Sequence, residues 1–147
     1  MTDIELARQT YRTGRFTFVL ARGGQVLATG TEDGIGELLD VVETHRQAVS
    51  GAALADKIVG KAVAMVAVYA GISEVYTPLG SEAAAQTLRE HHVRFDADRL
   101  VPLIRNQRGD GPCPMEQLTL PLDDAAAAVT ALHTFVAQRR QAAHAPR

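Results

Sequence analysis

The stretch Ala55-Asp-Lys-Ile-Val-Gly-Lys-Ala-Val-Ala-Met-Val-Ala-Val-Tyr-Ala70 is apolar except near its start, where it contains the only two lysines of the chain, Lys57 and Lys61. All other basic residues are arginines, thirteen in number, so this position favours a compact ammonium that arginine cannot supply. The apolar pattern predicts a buried helix over residues 53–70. Asp56 would then lie near its N-terminus, and the i,i+4 spacing would place both lysines on one face.

The rest of the chain alternates between strand and helix patterns. Two β-rich runs flank Gly23-Gly24, which indicates a hairpin because glycine tolerates the positive φ of tight turns. Ser81 is suited to cap the helix that follows it. Alternating helices and strands after a hairpin predict the α/β class, with one mixed sheet in a three-layer α/β/α sandwich. The predicted strands are 16–21, 25–29, 72–77, 93–96 and 117–122; the predicted helices are 3–12, 34–48, 53–70, 81–91 and 125–141, with a frayed tail at 144–147.

Composition excludes several classes of protein. The 147 residues fit one domain, residues 1–147, and a net charge of -2 gives no nucleic-acid footprint. A single cysteine excludes an internal disulfide. The first residues contain no hydrophobic signal core and no apolar run reaches membrane-spanning length, so we expect no membrane partner and a cytoplasmic location. The sequence is compatible with a homo-oligomer.

A second unusual segment, Gly109-Asp-Gly-Pro-Cys-Pro-Met-Glu116, contains the only cysteine, Cys113. Together with Ala55-Asp-Lys-Ile-Val-Gly-Lys-Ala62 it resembles the prokaryotic family named domain of unknown function 1893. The further runs that carry this resemblance are Glu74-Val-Tyr76, Leu100-Val-Pro102 and Ile104-Arg-Asn106. That family is similar in fold to the cytidine deaminases, which implies one site segment at residues 53–70 and another around Cys113.

The sequence departs from the zinc deaminases at the metal ligands. Those enzymes use an H-x-E motif and a P-C-x-x-C motif, but here the second cysteine position is Glu116 and neither segment contains a histidine. A lysine pair would also repel a dication. We therefore expect no bound metal and no cofactor.

The remaining chemistry indicates a site for an anionic small molecule. Lys57, Lys61 and a helix N-terminus would bind the phosphate or carboxylate of a nucleotide-like or other anionic ligand. The same positive field would favour the thiolate of Cys113, a candidate nucleophile. The predicted catalytic residues are Cys113, Lys57, Asp56 and Glu116, and the predicted ligand contacts are Lys61, Asn106 and Arg105.

Structural roles for the same residues stay open at this point. The lysines would form a solvated face, Cys113 a small buried hydrophobe, and Asp56 a helix cap. Glu116 would only pair with an arginine such as Arg105. The alternative function is then a noncatalytic regulatory or scaffold module that has lost deaminase activity.

Overall fold

The computed structural model describes residues 1–144 of the chain. They form six strands and seven helices. The strands are β1 Phe18–Arg22, β2 Gln25–Gly30, β3 Ala53–Asp56, β4 Ile58–Val59, β5 Glu74–Ser81 and β6 Arg94–Val101. The helices are α1 Asp3–Thr13, α2 Gly36–Thr44, α3 Arg46–Val49, α4 Lys61–Ala70, α5 Glu82–Glu90, α6 Pro114–Thr119 and α7 Ala125–His144.

The strands form one mixed sheet. β1 pairs antiparallel with β2 and with β3, whereas β5 pairs parallel with β3, β4 and β6. β6 follows one edge of β5 from Glu74 to Ser81, so β3 and β4 share the opposite edge, one after the other. Lys57 separates these two strands, and its backbone N–H donates to the carbonyl of Thr17, the residue before β1 (2.9 Å).

Helices flank the sheet unequally, which confirms an α/β sandwich. On one face α1 alone packs Ala7 against Val19, Ala55 and Tyr76 of three neighbouring strands. On the other face a larger core includes α2, α4, α5 and α7, with Leu39, Ala67, Leu88, Leu132 and Leu54 among its buried residues. Burying these side chains supplies the main stabilisation, because each large apolar residue contributes about 1.5–3 kcal/mol.

The predicted helix over residues 53–70 is wrong in its first part. Residues 53–59 form β3 and β4, and helix α4 begins only at Lys61, after Gly60. β3 lies between β1 and β5, and α1 covers one of its faces while the larger core covers the other, so it shows no polar–apolar alternation. A short, continuously apolar strand of this kind cannot be distinguished from a buried helix by periodicity.

Other boundaries also differ from the predictions. Residues 117–122 were expected to form a strand, but they lie in α6 and the turn after it, since Pro114 at the first helical position favours a helix start. Pro78 does not end β5, because the pairing along the β3–β4 edge stops at Tyr76 and resumes at Leu79. The missing N–H of Pro78 therefore coincides with a gap in the ladder. The helix predicted over 34–48 is divided at His45.

Several elements match their predictions. The hairpin, the parallel pairing of β6 and the cap on α5 are confirmed; the Ser81 hydroxyl accepts from the Ala84 N–H at 3.0 Å. No helix within residues 1–144 is both long and apolar enough to cross a membrane. Of the predicted frayed tail, residues 144–147, His144 is the last residue of α7, and residues 145–147 lie outside the described residues.

Candidate functional site

A cleft of about 690 Å³ opens where β3, β4 and the start of α4 meet the segment after β6. It brings together six of the seven predicted site residues, although they come from two distant parts of the chain. Residues of the β1 entry, the α2 entry and α7 complete its walls. The polar residues of its lining are Thr17, Asp33, Asp56, Lys57, Arg105, Asn106, Gln107, Arg108, Asp110, Cys113, Glu116 and Arg139.

Asp56 is the last residue of β3 and retains some exposed surface in the cleft. Protein atoms nevertheless crowd its carboxyl group, and this burial raises the pKa of Asp56 from 3.8 to about 8. Backbone N–H groups of Ile58 and Lys57 act in the opposite direction, and the Ile58 N–H lies 3.4 Å from Oδ1. The carboxyl group is therefore mainly protonated near pH 7, so it can both donate and accept hydrogen bonds.

The prediction that Lys57 and Lys61 lie on one helix face is wrong, because the chain between β3 and α4 is extended. Lys57 is exposed in the cleft, and its Nζ lies 3.8 Å from Asp33 Oδ1. Lys61 begins α4 outside the cleft and is only 7% exposed. Its Nζ donates to the Leu120 carbonyl at 2.7 Å. Only Lys57 can contact a molecule in the cleft.

Glu116 is a buried carboxylate that holds two backbone segments together. Its Oε1 accepts from the Lys61 N–H (2.7 Å), and its Oε2 accepts from the Ile104 N–H (3.3 Å). The first bond lies at the N-terminus of α4, where the helix dipole favours a negative charge. A Cβ on Gly60 would lie 2.6 Å from Oε2, so this close approach requires glycine. The predicted pairing with Arg105 is not formed; the Arg105 Nη1 donates to the Gly109 carbonyl.

Cys113 precedes α6 as its N-cap residue, with Pro114 at the first helical position. The Cys113 N–H donates to the Ile104 carbonyl at 2.9 Å, and its own carbonyl accepts from the Gln117 N–H at 3.0 Å. These bonds fix the backbone while the residue stays partly exposed in the cleft. Its catalytic role stays a prediction.

Two buried oxygens in the cleft have no hydrogen-bond partner among residues 1–144: Thr17 Oγ1 and Asn106 Oδ1. The other side-chain atom of Asn106, Nδ2, donates to Asp110 Oδ1 at 2.9 Å, which fixes the amide with its oxygen as the remaining acceptor. Thr17 was not predicted, because it precedes a strand and no local motif marks it. Arg139 and Phe135 also line the cleft, and sequence reasoning misses them because α7 brings them there from outside both motifs.

The side chains of this site do not fit the zinc centre of the deaminases. Within residues 1–144 no group of three or more His, Cys, Asp or Glu side chains is placed to hold a metal ion. Glu116 stands where a P-C-x-x-C motif would have its second cysteine, and it directs both of its oxygens at backbone N–H groups.

The fold and the cleft define a class, an α/β sandwich protein with a polar cleft beside the ends of central strands. Within this class the chain belongs to the DUF1893 family, whose sequence model, described as a domain of unknown function, matches residues 6–136. The structure is similar to the crystal structure of a DUF1893 family protein (TM1506) from Thermotoga maritima. The TM-score is 0.82 at 18% identity, covering 91% of this chain and 90% of the other, which shows the shared fold. No curated protein matches the chain.

Proposed function

We propose that the cleft binds an anionic, nucleotide-like small molecule on a cytidine deaminase-like fold. The observation that carries this proposal is a pair of buried oxygens, Thr17 Oγ1 and Asn106 Oδ1, which belong to two residues of the cleft lining and have no protein partner in residues 1–144. The large majority of buried side-chain polar atoms in proteins are hydrogen-bonded, so two unpaired ones in the lining of one cleft favour a ligand position there.

These oxygens restrict the chemistry of the ligand. Asn106 Oδ1 can only accept a hydrogen bond, so the ligand must offer an N–H or O–H group there. The Thr17 hydroxyl and the protonated Asp56 carboxyl can each donate and accept. An amide-like or nucleobase edge, which alternates donors and acceptors, satisfies all three groups.

The charges of the cleft favour an anion. Four cationic side chains line it, whereas Asp33 and Asp110 are its only exposed acids within the described residues. Asp56 adds little negative charge near pH 7, since its pKa is about 8. Apolar side chains form part of the wall and can cover a ring. The cationic residues are Lys57, Arg105, Arg108 and Arg139, and the apolar ones include Ile35, Met115 and Phe135.

The order and position of the two motifs support the finer assignment to a deaminase-like fold. Helix α4 begins at Gly60-Lys61 directly after the short strand β4, and Cys113 precedes the second helix at the same cleft. Cysteine chemistry without zinc is compatible with this placement, with Cys113 as the nucleophile.

One observation favours the alternative, a noncatalytic regulatory or scaffold module. Both oxygens of Glu116 are engaged by backbone N–H groups, so the residue that replaces a metal ligand stabilises the fold. A cleft that binds a ligand without converting it would then act as a sensor.

Replacing Lys57 with methionine is expected to weaken the binding of nucleoside monophosphates by about tenfold or more. The change retains the aliphatic stem but removes a charge whose hydrogen bond to an anion is worth about 1.5–3 kcal/mol. Isothermal titration calorimetry with AMP, CMP, GMP and UMP, the matching nucleosides and inorganic phosphate measures this effect.

Arg94→Met is the matched control, because Arg94 is an exposed cation of β6 that does not line the cleft. The proposed anion site would be contradicted if the wild type binds none of the nucleotides. It would also be contradicted if Lys57→Met and Arg94→Met lose the same affinity. Binding of phosphate as tightly as a nucleotide would remove the argument for a base-like edge.

A nucleotide that occupies the cleft is expected to protect Cys113 from alkylation by iodoacetamide. Cys113 is partly exposed and lines the same walls as Lys57 and Asn106, so a bound ligand covers its sulfur. Mass spectrometry follows the adduct on this single cysteine with and without a saturating nucleotide. An unchanged rate would place the ligand elsewhere.

A further inference from the structure

A second, smaller pocket of about 280 Å³ lies on the other side of the α4 N-terminus, between α5 and the turn after α6. Within the described part of the chain it shares no lining residue with the cleft. Lys61, Glu90 and Asp123 are its charged residues. Its volume is slightly below the usual range for small-molecule sites, which suits a ligand of few heavy atoms.

The buried ammonium of Lys61 is the unusual feature of this pocket. Lys61 is 7% exposed, and its Nζ has one acceptor, the Leu120 carbonyl at 2.7 Å. No carboxylate in residues 1–144 lies within 4.0 Å of this nitrogen. An ammonium carries three donors, and a buried charge is normally paired with an opposite charge. Its surroundings thus favour an incoming anionic group.

The rim of the pocket has the opposite charge. Glu90, at the end of α5, and Asp123, after α6, are both exposed, and the Glu90 Oε1 accepts from Gln86 Nε2 at 3.0 Å. Two carboxylates at the entrance repel a simple anion such as phosphate, whereas they attract an ammonium. A ligand that satisfies both ends therefore carries a negative group inside and a positive group outside.

We propose that this pocket binds a small α-amino acid, with the ligand carboxylate at Lys61 and the ligand ammonium at Glu90 and Asp123. The buried cation, Lys61, would contact the negative group of the zwitterion, and the exposed carboxylates, Glu90 and Asp123, would contact its positive group. The argument is independent of the cleft, since it rests on different residues.

Calorimetric titration with glycine, L-alanine, L-serine and L-asparagine tests the proposal. At least one is expected to bind, and its N-acetyl and amide derivatives, which lack the ammonium and the carboxylate respectively, should bind about tenfold more weakly or not at all. Absence of binding by all four amino acids overturns the proposal. If the N-acetyl form binds as tightly as the free amino acid, the pocket is a plain anion site and the proposal is overturned as well.

Variants locate the binding in this pocket. Lys61→Met should abolish it, and Asp123→Asn and Glu90→Gln should each reduce it several-fold; the latter two residues are exposed, so these variants retain the fold. Lys57→Met, in the cleft, should leave amino-acid binding unchanged. If Asp123→Asn and Glu90→Gln both bind like the wild type, the assignment is wrong even where Lys61→Met does not fold.

Discussion

Between pH 6 and pH 8 the ionisation of Asp56 is expected to lower the free energy of unfolding of the wild type by about 2 kcal/mol, and Asp56→Asn should not show this loss. Burial raises the pKa of Asp56 from 3.8 to about 8, so the folded protein retains a proton that the unfolded chain has released. The resulting stabilisation is complete below about pH 4. It falls by about 1.4 kcal/mol per pH unit as pH rises, until the folded carboxyl itself ionises near pH 8.

Urea unfolding at pH 6, 7 and 8 gives the free energy of unfolding for the wild type and for Asp56→Asn. The asparagine has nearly the same shape and never ionises, so its curve should be flatter by the stated amount. Asp33→Asn, which removes an exposed carboxylate from the same cleft, is the control and should retain the wild-type slope. Equal slopes in the wild type and Asp56→Asn would show that the carboxyl is well solvated.

The parts of the fold that the sequence predicts are those determined by local chemistry. Gly23 and Gly24 adopt positive φ in the hairpin, as their residue type allows. Ser81 caps α5 with its own hydroxyl. Each of these signals operates within a few residues, so it can be recognised from the sequence without the tertiary structure.

The parts that were missed depend on distant partners. Residues 53–59 become strands because β1 and β5 satisfy their backbone groups on both sides, which apolar composition cannot show. Lys61 is separated from its acceptor, Leu120, by 59 positions. Thr17 lines the cleft although it lies near the N-terminus of the chain, far from both motifs in sequence. Residues of both motifs line one cleft, but the positions of their side chains follow only from the tertiary structure.

The second large effect that we expect is on the free energy of unfolding, from the loss of the Glu116 carboxylate. Glu116→Ala is expected to lower the free energy of unfolding by about 3–5 kcal/mol, because it leaves the Lys61 and Ile104 N–H groups buried without their acceptor. Glu116→Gln retains one carbonyl oxygen but turns an amide NH₂ toward the other N–H, so its loss should be smaller, about 1–3 kcal/mol. Glu82→Ala, an exposed glutamate of α5, is the control, with a change of about 0.5 kcal/mol.

A double-mutant cycle with Gly60 then separates a structural role of Glu116 from a catalytic one. Gly60→Ala places a methyl group 2.6 Å from Oε2 and must displace the carboxylate, so it should be strongly destabilising alone. In a Glu116→Ala background the contact with the carboxylate is removed and only the 3.1 Å approach to Ile104 Cγ1 remains, so the same change should cost at least about 1 kcal/mol less. Additive losses, or an intact unfolding free energy in Glu116→Ala, would show that the carboxylate does not hold α4 to Ile104. Glu116 would then be free for proton transfer to a ligand in the cleft.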